Sequence, residues 1–397
     1  MQSIYYNKGN HPITDNAVAK YERLHGLDSL RATMMLLGVV LHCALTYTVT
    51  DFGEAWMLKD PNTSHVVYDF IAALIHTFRM PIFFLVAGFF AAMLYYQKKP
   101  IAMIKNRVSR IVLPFIVFVV LLWLPLAFAF SYTFLVFSGD ASALATTLSY
   151  FSEPLLVIPQ FTFHLWFLYY LILITLVTLT LGFFLNKITS TCGGIIFIFT
   201  WVFNKPFLRV VIFSGLTAVI YFLIGTWLVA TPVSFVPELG AFVYYYFFYS
   251  IGWLLFKSKQ LLATLKNYDW LSFTLAMMIF CGYLSFYQSL NDTSHIFINA
   301  LLVWLFIFGI TGLFLRYAKQ YSVLMRYLSD ASYWVYLIHL PFAAFIPSLI
   351  VDWPLSATVK FFIVLLSTGI ICFVSYHYLV RTTAIGQFLN GKKYSKY

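Results

Sequence analysis

The chain has 397 residues, of which 61% are hydrophobic, 20% aromatic and only 10% charged. Soluble domains carry about 25% charged residues, so this composition excludes a soluble domain of any size. The formal net charge of +11 raises nucleic acid as a partner. The basic residues follow the ends of the apolar segments, however, which is typical of membrane proteins and argues against nucleic acid.

Apolar segments recur along the chain, and most are close to the ~20 residues that a helix needs to cross a hydrocarbon core of roughly 30 Å. They lack the in-out alternation of barrel strands. The sequence therefore predicts an all-α, polytopic transmembrane helix bundle of about ten spans. The predicted spans are residues 29–49, 66–96, 108–137, 164–185, 208–230, 240–256, 270–290, 295–315, 331–351 and 356–380. Segment 193–203 is too short to cross, and is predicted to lie at the interface or to be re-entrant.

The basic residues predict the orientation of the bundle. Of 25 lysines and arginines, 21 fall on the side that holds both termini. Cytoplasmic loops collect such residues, so both termini are predicted to be cytoplasmic. The predicted organisation is an N-terminal tail over residues 1–27 without a signal peptide, a single transmembrane domain over 28–381, and a basic tail over 382–397.

The first predicted span carries Arg31 at its inner end and His42 eleven residues later. Eleven residues are about three helical turns, so the two side chains share one face about 16 Å apart along the axis. One interpretation is that they line a common path. The alternative is an arginine that snorkels to the headgroups and a histidine that is hydrogen-bonded inside the bundle.

The second predicted span carries Asp69, His76 and Arg79, descending from the outer surface toward the middle of the membrane. Arg79 lies about 20 Å from the outer end of the span and cannot easily reach the headgroups. A guanidinium at that depth costs at least about 2.5 kcal/mol unless it faces protein, water or an anion. This arrangement favours a functional site.

The third predicted span begins in KNRVSRIVLP, where Arg107 and Arg110 lie one turn apart. Positive charge at this position is expected from topology alone. The alternative is a phosphate clamp, because the planar guanidinium fork matches phosphate oxygens.

Three further histidines lie in later spans. His164, with Trp166 beside it, opens the fourth span, and is a candidate for binding substrate at the mouth of a site. His339 lies mid-span and is a second candidate, whereas His377, near the inner end of the last span, is the weakest. A lone histidine inside a bundle is more often structural. The four cysteines have no metal-binding or disulfide spacing, and no metal site is predicted.

These motifs, in this order, resemble the acyltransferase-3 family of integral membrane acyltransferases, and most nearly its members that succinylate osmoregulated periplasmic glucans. The matching stretches are LDSLRATMMLLGVVLH, FIAALIHTFRMPIFFLVAGFF, NRVSRIVLP, HLWFLYYL and YLIHLPF, which run from residue 27 to 342. One departure is visible, because the family often has a serine where this chain has Ala87. A hydroxyl role at that position is therefore not expected.

The resemblance implies a bacterial inner-membrane enzyme that transfers an acyl group from cytosolic acyl-CoA to a sugar hydroxyl on the outer side. Succinyl-CoA or acetyl-CoA is the expected cosubstrate, with no permanently bound cofactor, and a periplasmic glucan or another envelope sugar is the expected acceptor. Membrane lipid and glucan synthase components are the further partners implied, and the oligomeric state, a homo-oligomer included, is left open. The family's catalytic motif falls on Arg31 and His42, and CoA contacts fall on Arg107 and Arg110.

On this hypothesis His42 is the general base, because acyl transfer to a weakly nucleophilic hydroxyl needs one. Arg79 or His76 stabilises the oxyanion, and Arg31 joins Arg107 and Arg110 in holding the CoA phosphates. If the donor is succinyl-CoA, Arg79 is an alternative partner for its distal carboxylate. Asp69, His164, Trp166 and His339 are the candidate acceptor-binding residues. The alternatives left open are an O-acetyltransferase of another polysaccharide, a transporter of a small anion or a lipid-linked sugar, and a structural or sensory protein.

Overall fold

The computed structural model describes residues 24–98, 100–152, 158–185 and 191–391, which are helical throughout most of their length and contain no β-strand. The predicted N-terminal tail up to residue 23 and the C-terminal tail from residue 392 lie outside the described residues. The helices are α1 (His25–Leu45), α2 (Val66–Lys98), α3 (Pro100–Arg107), α4 (Leu113–Phe137), α5 (Ala143–Tyr150), α6 (Trp166–Leu185), α7 (Thr191–Phe203), α8 (Pro206–Ile224), α9 (Leu239–Lys257), α10 (Leu262–Leu265), α11 (Asp269–Ser285), α12 (Asp292–Tyr317), α13 (Val323–Leu349), α14 (Ala357–Ser375) and α15 (Ala384–Asn390).

The predicted transmembrane bundle is confirmed. Among the described residues, nine helical segments are long and apolar enough to cross a membrane, and they correspond to nine of the ten predicted spans. The tenth, α11, has 17 residues, about 25 Å, which is the lower end of the length that crosses. Helix α7 has only 13 residues, too few to cross, as the sequence predicts. Its position at the interface stays a prediction.

Contacts between distant segments show which helix ends lie together. Arg31, near the start of α1, lies 5.5 Å from the ring of Phe90 near the end of α2. At the opposite end, Nδ2 of Asn62 donates a hydrogen bond to the carbonyl of Val351. We call these the inner end and the outer end, after the predicted orientation. The outer end is formed by the described parts of residues 46–65, 138–163, 225–238, 286–291 and 350–356.

A buried ion pair fixes the outer loop over residues 46–65. Nζ of Lys360, on α14, lies 3.1 Å from Oδ2 of Asp60, and both side chains are completely buried. The ammonium also donates to the carbonyl of Val351, and the backbone amides of Asn62 and Thr63 donate to Oδ1 of Asp60. A buried ion pair is tolerated when such additional hydrogen bonds satisfy it. The loop is thereby held against the helices beneath it.

The backbones of α2 and α9 approach each other closely at two glycines. A Cβ atom at Gly88 would lie 2.0 Å from the carbonyl oxygen of Tyr249, and one at Gly252 would lie 1.9 Å from that of Leu85. Small residues that let backbones approach are the usual basis of helix packing in membranes, where lipid is as apolar as the protein interior. This crossing fixes α2, the helix that carries His76 and Arg79.

Candidate active site

A cavity of about 2140 Å³ opens at the outer end and extends into the bundle. Its mouth includes exposed residues such as Val49 and Tyr287, and its deepest residues on α1 are Met34 and Met35. The residues predicted for catalysis and acceptor binding that line it are His42, Asp69, His76, Arg79, His164, Trp166 and His339. Of the set predicted from the sequence for those two roles, only Arg31 lies elsewhere.

Three imidazoles from three helices meet inside this cavity. The ring centroid of His42, on α1, lies 5.4 Å from that of His339, on α13. The His339 ring in turn lies 5.2 Å from that of His164, in the 3₁₀ turn that leads into α6, and the two planes are nearly perpendicular. Since these residues are separated by more than one hundred positions in the chain, only the fold brings them together.

Hydrogen bonds to backbone carbonyls set the tautomers of two of these rings. Nδ1 of His339 lies 2.8 Å from the carbonyl of Tyr336, and Nε2 of His164 lies 2.9 Å from that of Leu337. A carbonyl only accepts, so each of these nitrogens must carry a hydrogen. In a neutral imidazole the second nitrogen is then an acceptor. The other nitrogens, Nε2 of His339 and Nδ1 of His164, are buried and have no partner among the described residues. Each ring therefore keeps a free acceptor nitrogen.

The imidazole of His42 is held by a tryptophan from the outer loop. Trp56 stacks on it with ring centroids 5.4 Å apart and planes inclined by 27°. The indole Nε1 donates to the carbonyl of Leu58 and to the hydroxyl of Thr46, which fixes its orientation. Nδ1 of His42 has no hydrogen-bond partner in the described part of the chain. Sequence reasoning missed Trp56, because nothing in an irregular loop signals that it folds back onto a span.

Arg79 places a cation in the wall of the cavity, next to α1. Its Nη1 is buried and without a hydrogen-bond partner among the described residues, and no carboxylate there pairs with it. Nη2 donates a hydrogen bond to the sulfur of Met80, at 3.5 Å. Gly38, one turn before His42, provides the space that the guanidinium occupies. An unpaired guanidinium in a cavity can bind an anion or an oxyanion.

The two other cavity residues of α2 differ in their surroundings. Asp69, at the mouth, accepts hydrogen bonds from the backbone amides of Val49 and Thr50, at 2.8 and 2.9 Å. Both of its oxygens thus hold the chain just after α1, which is an orienting role. His76 lies deeper, in the last turn before Arg79, and is half-buried against the cavity.

Arg31 does not share the cavity with His42, although both lie on α1 as predicted. The cavity ends at Met34 and Met35, one turn before Arg31 is reached. Arg31 is partly exposed and lies 3.5 Å from Asp28. The common path predicted for Arg31 and His42 is therefore not continuous, because His42 faces the cavity and Arg31 does not.

Arg107 and Arg110 also lie at the inner end, outside the residues that line the cavity. Arg107 directly precedes a π-helical turn over Val108–Val112 and Arg110 lies within it, and such turns are frequent at functional sites. Nε of Arg107 is buried without a partner among the described residues. Nη1 of Arg110 instead donates to the carbonyl of Phe388, at the end of α15. Of the two, Arg107 has the freer donor for a phosphate.

Comparison with known proteins identifies the family of the chain. The family profile described as an acyltransferase domain, acyltransferase 3, matches residues 24–377. The chain belongs to the acyltransferase 3 family. The resemblance seen in the motifs is therefore confirmed, and the protein is a multi-pass membrane acyltransferase.

Two individual relatives match only part of the chain. Glucans biosynthesis protein C of Salmonella schwarzengrund is 32% identical over 167 residues, which is 41% of this chain and 39% of the relative. The protein of the same name from Salmonella paratyphi B is 32% identical over 165 residues, with the same shares. The match thus spans about two fifths of the length of these relatives. No solved structure matches the chain.

Proposed function

We propose that this acyltransferase moves an acyl group, succinyl in the first place, from cytosolic acyl-CoA to hydroxyl groups of a periplasmic glucan. The observation that carries the proposal is the single cavity that brings His42, His339 and His164 together with the unpaired guanidinium of Arg79. The names of the relatives support a glucan as the acceptor. The bacterial inner membrane as location and glucan synthase components as partners belong to the same proposal.

His42 is the general base of the proposed reaction. The acceptor hydroxyl oxygen attacks the carbonyl carbon of the thioester, and its proton passes to the imidazole of His42. A carbon–oxygen bond forms, and the negative charge that develops on the carbonyl oxygen is stabilised by Arg79. The carbon–sulfur bond then breaks, sulfur keeps the electron pair and takes the proton from His42. The products are an ester and the free thiol of CoA.

His339 and His164 are positioning residues in this proposal. Their carbonyl-bonded nitrogens hold the rings in place, and the free nitrogen of His339 is available to the neighbouring imidazole. A base that is oriented by a further group is the usual arrangement in acyl transfer. His76, one turn from Arg79, is the second candidate for a donor to the oxyanion.

The donor enters from the inner end in this proposal, where Arg31, Arg107 and Arg110 bind the CoA phosphates. Arginine suits this role because its guanidinium fork pairs with phosphate oxygens. The thioester must then pass Met34 and Met35, which close the inner side of the cavity. The proposal therefore includes an opening movement of these methionines, whose unbranched side chains change rotamer readily.

The experiment that tests the function uses the purified full-length protein with succinyl-CoA or acetyl-CoA, with and without an extracted periplasmic glucan. Release of free CoA that depends on the glucan, together with acyl groups on the recovered glucan, is expected. Transfer of acetyl but not succinyl groups would identify acetyl-CoA as the donor and leave the rest of the proposed reaction unchanged. Absence of CoA release with both donors would overturn the proposal, and uptake of anions or lipid-linked sugars by proteoliposomes would then favour transport.

A further inference from the structure

A second group of polar and aromatic side chains lines the same cavity from segments of the chain other than those of the histidine cluster. Trp227 lies in the loop after α8, Tyr283 in the last turn of α11, and Tyr287 just beyond it. Asn299 lies on α12, one turn after His295. None of these residues belongs to the motifs of the sequence analysis, and the proposed reaction does not use them.

His295 lies behind the cavity wall and contacts three members of this group. The indole of Trp227 stacks on its imidazole, with centroids 4.8 Å apart and planes inclined by only 18°. Asn299 donates to the hydroxyl of Tyr283 at 2.9 Å, and the same hydroxyl is hydrogen-bonded to Nδ1 of His295, also at 2.9 Å. The ring of Tyr287 covers His295 at 4.7 Å. His295 is itself buried, so the network fixes the rings that do line the cavity.

The chemistry of this wall matches an uncharged sugar. One face of Trp227 is covered by His295, and the residue contributes to the lining of the cavity as well. Oδ1 of Asn299 accepts no hydrogen bond from the described residues, and Gln288 adds a second amide to the lining. Aromatic faces with amides and hydroxyls bind a polyol, whereas an anion needs cations and a lipid chain needs no polar partners.

The size and continuity of the cavity indicate more than one sugar residue. A volume of about 2140 Å³ is roughly twice the upper end of the range for sites that hold a drug-sized ligand. A small pocket lined by both Trp227 and Asn299 also includes His76 and Thr77 of α2. The aromatic wall is therefore continuous with the helix face that carries Arg79.

We propose that Trp227, Tyr287 and Asn299, held in place by Tyr283 and His295, form a subsite for a sugar residue of the acceptor chain at a distance from the reacting hydroxyl. The inference rests on the proposed function for the identity of the acceptor. It predicts that the enzyme prefers an oligosaccharide to a single sugar. It also predicts that the preference depends on the Trp227 ring.

Binding is measured first, without catalysis, by calorimetric titration of the purified full-length protein with a glucan oligosaccharide. Trp227→Ala and Asn299→Ala are expected to raise Kd, the first by up to about tenfold, as for the loss of one aromatic pair. Trp227→Phe keeps a ring and is expected to keep most of the affinity. Trp353→Ala is the matched control, because Trp353 is an exposed outer-end tryptophan outside the cavity lining.

Equal affinity of the Trp227→Ala and Trp353→Ala variants would overturn the subsite, as would a wild-type protein that binds no oligosaccharide. Melting temperatures of the variants show whether each one is folded. Steady-state kinetics then distinguish an effect on the subsite from an effect on the reaction itself. The KM for the oligosaccharide should rise in Trp227→Ala and not in the control variant Trp353→Ala.

The two proposals fail in different ways. Binding that depends on Trp227, without any CoA release, would keep the subsite and overturn acyl transfer to glucan. Acyl transfer with an unaltered KM for the oligosaccharide in Trp227→Ala would keep the reaction and overturn the subsite.

Discussion

The guanidinium of Arg79 lies against the backbone of α1 at Gly38, where a Cβ atom would be only 2.6 Å from Nη1. Gly38 precedes His42 by four residues, which is one turn of the same helix face. The absent side chain at Gly38 thus lets a cation from α2 lie next to the proposed base. The base and the oxyanion donor of the proposed reaction are neighbours because of this glycine.

Gly38→Ala is therefore predicted to impair catalysis although no catalytic side chain is replaced. The new methyl group displaces the guanidinium, and a misplacement of about 1 Å costs up to about 10²-fold in rate. Helix stability should not fall, because alanine is favoured over glycine in a helix by about 1 kcal/mol. Gly215→Ala is the control, since a Cβ atom there meets nothing within 4 Å. Equal CoA release by the two variants would contradict the assigned place of Arg79.

Arg79→Gln tests which negative charge the guanidinium meets. If Arg79 stabilises the oxyanion, kcat should fall by about 10²–10³-fold with succinyl-CoA and with acetyl-CoA alike. The measurement is steady-state CoA release with each donor at saturating glucan. A loss confined to succinyl-CoA would instead assign Arg79 to the distal carboxylate of the donor.

His339→Asn and His339→Gln test the free nitrogen of the second imidazole. Asparagine can replace Nδ1 as the donor to Tyr336 but has no atom at the position of Nε2, whereas glutamine reaches that position. We expect kcat to fall by about 10²-fold in the asparagine variant, the lower end of general-base effects, and less in the glutamine variant. The KM for acyl-CoA should not change. Wild-type kcat in the asparagine variant would exclude a role for Nε2.

Much of the fold could be predicted from the sequence because continuous apolar segments of sufficient length have few alternatives to spanning helices. The ionisable residues inside those segments were also visible, and His42, His76 and Arg79 do line one cavity. Their positions along the helices followed from helical geometry. The inner limit of the cavity could not be predicted from helical geometry, because it depends on where Met34 and Met35 pack.

The contacts between distant segments could not be predicted in the same way. Spans that are apolar on every side give no periodic signal for the face that packs against protein, since lipid and protein interior are equally apolar. Trp56 reaches His42 from an irregular loop, and Trp227 belongs to another. The sequence likewise contains no pattern that predicts the pairing of Asp60 with Lys360, which lie 300 residues apart.

That ion pair is predicted to stabilise the outer end of the bundle. Lys360→Met leaves the carboxylate of Asp60 buried without its cation, which should cost about 3–5 kcal/mol. The double variant Asp60→Asn with Lys360→Met should lose less than the sum of the single changes, because no charge then remains buried. Thermal unfolding in detergent measures the difference. Lys319→Met, at an exposed position of the inner end, is the control, and an equal melting temperature in both lysine variants would contradict the account.

The most direct test of the central claim is glucan-dependent CoA release by purified His42→Ala beside wild type and His377→Ala, whose histidine is exposed at the inner end. We expect release by the wild type and the His377 variant, and a loss of about 10²–10⁴-fold in His42→Ala, the usual contribution of a general base. Undiminished release by His42→Ala would contradict the assignment of His42 as the base.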